Sequence, residues 1–307
     1  MRLPAPLAVD LRGRSLLRVA DWTPAELEAV LDLAADLKEQ QQAREPPKLL
    51  EGRLLEGRTV GLLFRKHSTR TRVSLEVACA HLGATAIYLP GAELQLARGE
   101  SAEDTARVLS RYLDALAIRT FRHREAEVFA ATAEIPVLNA LTDEAHPLQA
   151  LADLLTIRER FGTAEGVRVA WIGDGNNVCV SLAEACELLG ADFVCAAPSG
   201  YEPAGGSIAV VRDPREAAEG AHVVVTDVWT SMGQEDESAE RLRAFAGYSV
   251  DEPLLGLADR DAIVLHCLPA HPGEEIAADV LHGPRSAVLD EAENRLHTAK
   301  AVLALTV

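Results

Sequence analysis

Residues 59 to 72 read TVGLLFRKHSTRTR, from Thr59 to Arg72. Thr59 to Phe64 is a short, almost wholly apolar run rich in branched residues, the composition of a strand covered on both faces. Two residues past its last basic pair, Ser68 supplies a helix cap. The pattern from Ser68 to Leu82 is helical, and Gly83 stops it. A buried strand feeding a helix through a tight turn is the first half of a parallel α/β unit, and the rest of the chain is read outward from it.

Upstream, Thr23-Pro24-Ala25-Glu26 places a capping hydroxyl, a proline in the first turn and a glutamate three residues after the cap. Leu27, Val30, Leu31 and Ala34 then follow at helical spacing, which predicts a helix from Pro24 to Gln42. Downstream, strand-like runs at Ala84 to Leu89, Ala115 to Phe121 and Pro136 to Asn139 alternate with helical patterns at Ser101 to Tyr112 and Arg124 to Ala133. A long helical pattern from Pro147 to Phe161 follows. A second series of strands is expected at Val167 to Ile172, Asp192 to Ala197, His222 to Asp227 and Ala262 to His266, and Ala204-Gly205-Gly206 reads as a loop. The fold class is therefore α/β, with two similar parallel-sheet α/β/α domains joined by interdomain helices. The first spans 1–146, the second 147–289, and a last helical pattern, Glu291 to Leu305, suits a C-terminal segment 290–307 that packs back on the first.

Composition agrees with two folded domains: 307 residues, of which 48% are hydrophobic, against about 100 to 200 residues per domain. Thirty basic and 47 acidic residues give a net charge of -17, which argues against nucleic acid or anionic lipid as the main partner. A site for an anion must then be a local gathering of positive groups. Cys79, Cys179, Cys186, Cys195 and Cys267 are odd in number and lack the paired spacings of a zinc site or disulfide framework, so a reducing cytoplasm fits and neither metal nor cofactor is called for. The segment 1–20 is broken by Asp10, Arg12, Arg14 and Arg18, and no run reaches the ~18 to 20 apolar residues of a membrane span.

Chemistry gathers where these strands end. Ser68, Thr69 and Arg70 arrive at a helix N-terminus, whose unpaired N–H groups and positive dipole end suit phosphate, and the arginine adds a two-pronged donor. Taken alone, the same spacing serves a helix capped by Ser68 with Arg70 and Arg72 in solvent. Arg119 stands at the end of an apolar strand, where parallel sheets bind ligands. His146-Pro147-Leu148-Gln149 opens a helix, and a histidine there is as often a cap or a core hydrogen-bonder. Trp171-Ile172-Gly173-Asp174-Gly175-Asn176-Asn177 is a strand entering a glycine turn. It fails as a dinucleotide fingerprint, because Val178 stands where the third glycine belongs. Asp227 with Ser231 and the Met232 backbone amide can grip an α-amino acid, the carboxylate taking the ammonium and the donors the carboxyl group. His266-Cys267-Leu268-Pro269 ends another apolar strand, where a cysteine is usually inert core.

Together the segments F-x-K-x-S-T-R-T-R, H-P-x-Q-A-L-A-D, G-D-x-N-N, D-x-x-x-S-M-G and H-C-L-P resemble those of the aspartate and ornithine carbamoyltransferase family, over the chain from about residue 15 onward. The resemblance implies transfer of a carbamoyl group from carbamoyl phosphate to L-ornithine. It implies that Ser68, Thr69, Arg70, Thr71, Gln95, Arg119, His146, Gln149, Cys267, Leu268 and Arg295 bind carbamoyl phosphate, with Arg119, His146 and Cys267 catalytic. Asn177, Asp227, Ser231 and Met232 would hold ornithine. Gln95 matches a residue that reaches a neighbouring subunit's site, which implies a homotrimer or a multiple of it. Two places depart from the family pattern. Pro272 stands where a basic residue is common, and Arg65 and His67 flank Lys66. Carbamoyltransferases for aspartate, putrescine or N-acetylornithine, and a non-catalytic paralogue that binds without turnover, remain the alternatives.

Overall fold

The computed structural model describes residues 9–43, 54–205, 208–231 and 235–307. The chain forms two compact units, Met1–Leu155 with Glu293–Val307, and Thr156–Ala292.

In the first unit, α1 (Pro24–Gln42) begins as expected: Thr23 Oγ1 accepts from the Glu26 amide at 3.3 Å and the Glu26 carboxylate accepts from the Thr23 amide at 2.7 Å. There follow β1 (Thr59–Phe64), α2 (Thr69–Leu82), β2 (Thr85–Pro90), α3 (Ala102–Leu109), β3 (Ala115–Arg119), α4 (His123–Thr132), β4 (Val137–Leu141) and α5 (Pro147–Phe161). Gly83 closes α2 at φ 81°, a left-handed conformation that glycine adopts without strain. The sheet runs β2-β1-β3-β4, all parallel. Successive strands lie to one side of β1 and then to the other, so the order reverses between β1 and β3. Phe64 pairs with Arg119 there, at the carboxyl ends where such sheets open a crevice. Leu63, Leu116, Ile118, Phe129 and Val137 form part of the core beneath, and Leu16 bridges to Leu138 along the outer edge of β4.

The second unit contains β5 (Arg168–Ile172), α6 (Asn177–Leu189), β6 (Asp192–Ala196), β7 (Ala209–Val211), α7 (Pro214–Ala218), β8 (Val223–Thr226), α8 (Ser238–Ala244), α9 (Glu252–Leu255), β9 (Ile263–His266) and α10 (Ala278–Leu281). Its strand order is β7-β6-β5-β8-β9, again all parallel, and it reverses between β5 and β8. Trp229, Phe245 and Tyr248 pack together under the sheet; the first two rings stack at 5.6 Å between centroids. The chain leaves the first unit within α5 and returns to it within α11 (Val288–Thr306).

Strand and helix ends differ from the sequence reading by a few residues. The strand from Ala115 ends at Arg119 and not at Phe121, because the register shifts between Ile118 and Arg119 and the chain turns away. The helix from Ala102 ends at Leu109, three residues early, where the Ser110 hydroxyl bonds back to the Ala106 carbonyl at 2.7 Å. The edge strand β7 escaped notice: three residues, largely exposed, carry no pattern to read. Ala204 and Gly205 are irregular, as a loop requires, while Gly206 lies outside the described residues. Among the described residues no helix is long and apolar enough to cross a membrane.

Candidate active site

At the end of β1 the chain turns through Arg65, Lys66 and His67 into α2. Arg65 N donates to the Arg119 carbonyl at 2.8 Å, which keeps the two strand ends level. Arg65 pairs with Glu125 at 2.5 Å, Lys66 is buried and pairs with Asp143 while lying 4.4 Å over the Phe121 ring, and His67 is exposed. The basic flank of the motif is thus spent on fixing the turn. Ser68 caps α2, its hydroxyl accepting from the Thr71 amide at 3.3 Å. Thr69 and Arg70 are exposed on the first turn, Ser68 is half-buried, and Thr71 is buried.

Thr71 belongs to a network that the sequence spacing does not reveal. Arg295, on α11, is only 5% exposed. Its Nη2 donates to Thr71 Oγ1 at 3.0 Å, and its Nη1 donates to Gln149 Oε1 and approaches His146 Nε2 at 3.3 Å. Gln149 Nε2 in turn donates to Asp153 Oδ1 at 2.8 Å, one helical turn along α5. A guanidinium cannot accept, so Nε2 of His146 carries the lone pair and Nδ1 the proton. Burial first, then the positive charges of Arg295 and Arg119, hold His146 well below the usual histidine range. It is a neutral donor at physiological pH. Arg119 is itself buried at the end of β3. The result is a cluster of N–H and O–H donors with two arginine charges and a neutral imidazole among them, an arrangement suited to an anion and a carbonyl oxygen.

In the second unit the corresponding strand tips carry another cluster. Gly175 is obligatory in the turn after β5, since a Cβ there would lie 2.1 Å from Pro203 N. Asn176 caps α6, its side-chain Oδ1 accepting from the Val178 and Cys179 amides at 2.9 and 3.1 Å. Its amide nitrogen donates to Asp227 Oδ2 at 2.8 Å, and the Cys267 thiol donates to the other oxygen, Oδ1, at 3.1 Å. Asp227 is buried and follows directly on β8, which Thr226 ties to β5 through the Ile172 carbonyl at 2.6 Å.

The turn after β9 is held from beneath. His266 Nδ1 accepts from the Leu268 amide at 2.9 Å, so its proton is on Nε2, which donates to the fully buried Glu275 at 3.0 Å. Leu268 adopts φ 55° in that turn. Glu275 also accepts from the His271 amide at 2.5 Å, so the segment containing Pro272 carries a buried partner of His266. Asp227, His266 and Cys267 each bring one potential ligand atom within 4.8 Å of the others. They would receive a metal only if His266 gave up one of those two hydrogen bonds.

Of the expected residues, Thr71, His146, Gln149 and Arg295 are joined by hydrogen bonds in the first unit, and Asp227 and Cys267 in the second. Asn177, the first residue of α6, and Ser231 are half-buried, as is Leu268. Gln95 is exposed at the start of a short 3-10 turn, Gln95–Arg98. Met232 lies outside the described residues. Sequence reasoning passed over Asn176, which makes the hydrogen bond to Asp227; an asparagine before a helix is a visible cap signal, and that signal alone could have found it. It also passed over Glu275 and Asp153, buried acids whose importance depends on partners distant or one turn away.

Comparison with known proteins matches the chain in two consecutive stretches. Residues 14–159 match the carbamoyl-P binding domain of aspartate/ornithine carbamoyltransferase, and residues 165–306 match the Asp/Orn binding domain. The ornithine carbamoyltransferase of Acidothermus cellulolyticus is 54% identical over 304 residues, covering 94% of this chain and 95% of the relative. That of Pyrococcus horikoshii is 50% identical over 313 residues, covering 97% of each. The solved ornithine carbamoyltransferase of Pyrococcus furiosus superposes with a TM-score of 0.92 at 49% identity, covering 97% of this chain and 98% of the other. With both domain models matched in order along the chain, and half the residues shared over almost its whole length, the chain belongs to the aspartate/ornithine carbamoyltransferase family.

Proposed function

We propose that this chain transfers the carbamoyl group of carbamoyl phosphate to the side-chain amine of L-ornithine, yielding L-citrulline and phosphate in arginine metabolism. The observation that carries the reading is the Arg295 network, in which one side chain of α11 gathers Thr71 from α2 and neutral His146 and Gln149 from the start of α5 into one polar cluster. In this reading residues 1–146 with 290–307 bind the donor and 147–289 bind the acceptor.

Ser68, Thr69, Arg70 and Arg119 hold the phosphate, with Gln95 supplied by a neighbouring subunit of a homotrimer. Thr71, Arg119 and His146 donate to the carbamoyl oxygen, and Gln149, Arg295 and the Leu268 carbonyl orient the amide. Asp227 takes the α-ammonium of ornithine, Asn177, Ser231 and the Met232 backbone take its remaining polar groups, and Cys267 orients the attacking amine. The neutral amine forms a bond to the carbamoyl carbon. The bond from that carbon to the phosphate oxygen breaks, its electron pair leaving with phosphate, which accepts the proton the amine gives up. Positioning and charge stabilisation supply the rate, so no separate protein base and no metal or other cofactor is required. The enzyme works in the cytoplasm, with neither nucleic acid nor membrane as a partner.

A colorimetric citrulline assay tests this directly, with carbamoyl phosphate as donor and ornithine, aspartate, putrescine and N-acetylornithine offered in turn. The expected result is saturable turnover with ornithine and little with the others. Preference for another acceptor, or binding of carbamoyl phosphate by calorimetry without any product, overturns it.

A further inference from the structure

Past Pro269 the chain carries a second cluster of potential ligands, His271, Glu274 and Glu275, apart from the groups assigned to the substrates. Glu275 is fully buried, and its Oε1 accepts from His266 Nε2 at 3.0 Å and from the His271 amide at 2.5 Å. Its other oxygen, Oε2, is buried too, yet has no hydrogen-bond partner among the described residues. That oxygen lies 3.9 Å from His271 Nδ1, and the same ring nitrogen lies 3.9 Å from Glu274 Oε2. Both separations are too long for a hydrogen bond. One ligand atom from each of the three residues lies within 4.8 Å of the other two.

A buried carboxylate oxygen has lost its water and normally regains a donor from the protein. Among the described residues no side chain does this for Glu275 Oε2, and no lysine or arginine pairs with either acid. An imidazole and two carboxylates are ligands that zinc takes at about 2.0–2.2 Å, which sets neighbouring ligand atoms of a tetrahedral site about 3.3 Å apart. The side chains of His271 and Glu274 are 49% and 42% exposed, so rotation of these two about the fixed Glu275 closes the remaining gap. The backbone beneath is already set: the Glu274 amide donates to the His271 carbonyl and the Gly273 amide to the Ile276 carbonyl, each at 2.9 Å, with Gly273 at φ 96°.

We propose that His271, Glu274 and Glu275 form a binding site for one zinc ion, with water completing its coordination. The mixed nitrogen and oxygen set favours zinc over magnesium or calcium, which prefer oxygen alone. The site is distinct from the Asp227, His266 and Cys267 cluster, where both ring nitrogens of His266 are engaged. An ion on Glu275 Oε2 leaves those two bonds in place, and through Glu275 and His266 it braces the turn at Leu268. It takes no part in bond making or breaking, and the inference holds whichever acceptor the enzyme uses.

Calorimetry tests the site on the full-length chain after treatment with a chelator, carrying Cys267→Ser so that no thiol of the neighbouring cluster contributes. Zinc chloride is expected to bind saturably and to raise Tm, as a ligand of the folded state does; magnesium chloride is expected to do neither. His271→Ala and Glu274→Gln, added singly to that protein, alter exposed side chains and leave Glu275 bonded to His266. Each is expected to weaken zinc binding by at least about tenfold, the lower end of what loss of even an outer-shell partner costs, and to abolish the rise in Tm. Circular dichroism checks that both remain folded. Absence of zinc binding, binding undiminished in His271→Ala and Glu274→Gln, or equal binding of magnesium overturns the inference.

Discussion

Arg295 Nη2 donates to Thr71 Oγ1 over 3.0 Å, joining residues 224 positions apart, while its Nη1 reaches Gln149 and His146. One side chain thus sets the relative positions of the first turn of α2 and the first turn of α5. Lysine in its place keeps a positive charge but can satisfy only part of that fork. Arg295→Lys is expected to lower kcat/KM for carbamoyl phosphate by about tenfold or more, on the basis of about 1.5–3 kcal/mol for a hydrogen bond to a charged group. Initial rates at varied carbamoyl phosphate check it, and an unchanged value refutes the clamp.

The neutral state of His146 has a signature in pH. Its proton affinity is held far down by burial, Arg295 and Arg119, so it neither gains nor loses charge between pH 6 and 8. His146→Gln keeps a neutral donor at that position. It is expected to lower kcat without altering the shape of the kcat profile across that range. If the parent shows an acidic limb near pH 6.5 that vanishes in the variant, the histidine titrates and the assignment fails.

Asp227 is gripped on both oxygens, by Asn176 and by Cys267. Asp227→Asn removes the charge that the proposed function sets against the α-ammonium, and kcat/KM for ornithine is expected to fall by about ten- to a hundredfold. Cys267→Ser keeps a donor to Oδ1 and is expected to cost less than Cys267→Ala. Parallel assays of the three variants at saturating carbamoyl phosphate rank them.

His297, buried on α11, faces Lys300 on its own helix, Lys38 on α1 and His81 on α2, with Glu293 at 3.5 Å from Nε2. Burial, then the charges of Lys300, Lys38 and His81, bring its pKa from 6.5 down to about 3. Between those values the unfolded chain takes up a proton that the folded chain refuses. Stability is therefore intact above pH 6.5 and falls as pH drops toward 3. Tm measured from pH 7 to 4.5 is expected to fall more steeply for the parent than for His297→Gln, and parallel curves would refute this.

Much of the fold was legible because the strands of parallel sheets announce themselves as apolar runs and the helices between them carry caps. Pro24–Gln42, Thr59–Phe64 and Pro147–Phe161 have the limits their caps and flanking residues dictate. The short edge strand Ala209–Val211 was not legible, since three residues, two of them exposed, have little burial to encode. Site residues at strand tips, such as Arg119 and Asp227, stood out as charges ending apolar runs. Arg295 did not: on its own helix it has the look of a solvated charge, and only the return of α11 to the first unit buries it.

Because the final helix comes home to the unit in which the chain began, that unit cannot be produced by stopping translation at its first border. A fragment ending at Leu155 would lack Arg295, Asn294 and His297 together, so its Thr71 and Lys38 would lose partners they have in the intact protein. Anyone exchanging halves with a relative must carry two separate stretches of gene for one half and a single stretch for the other.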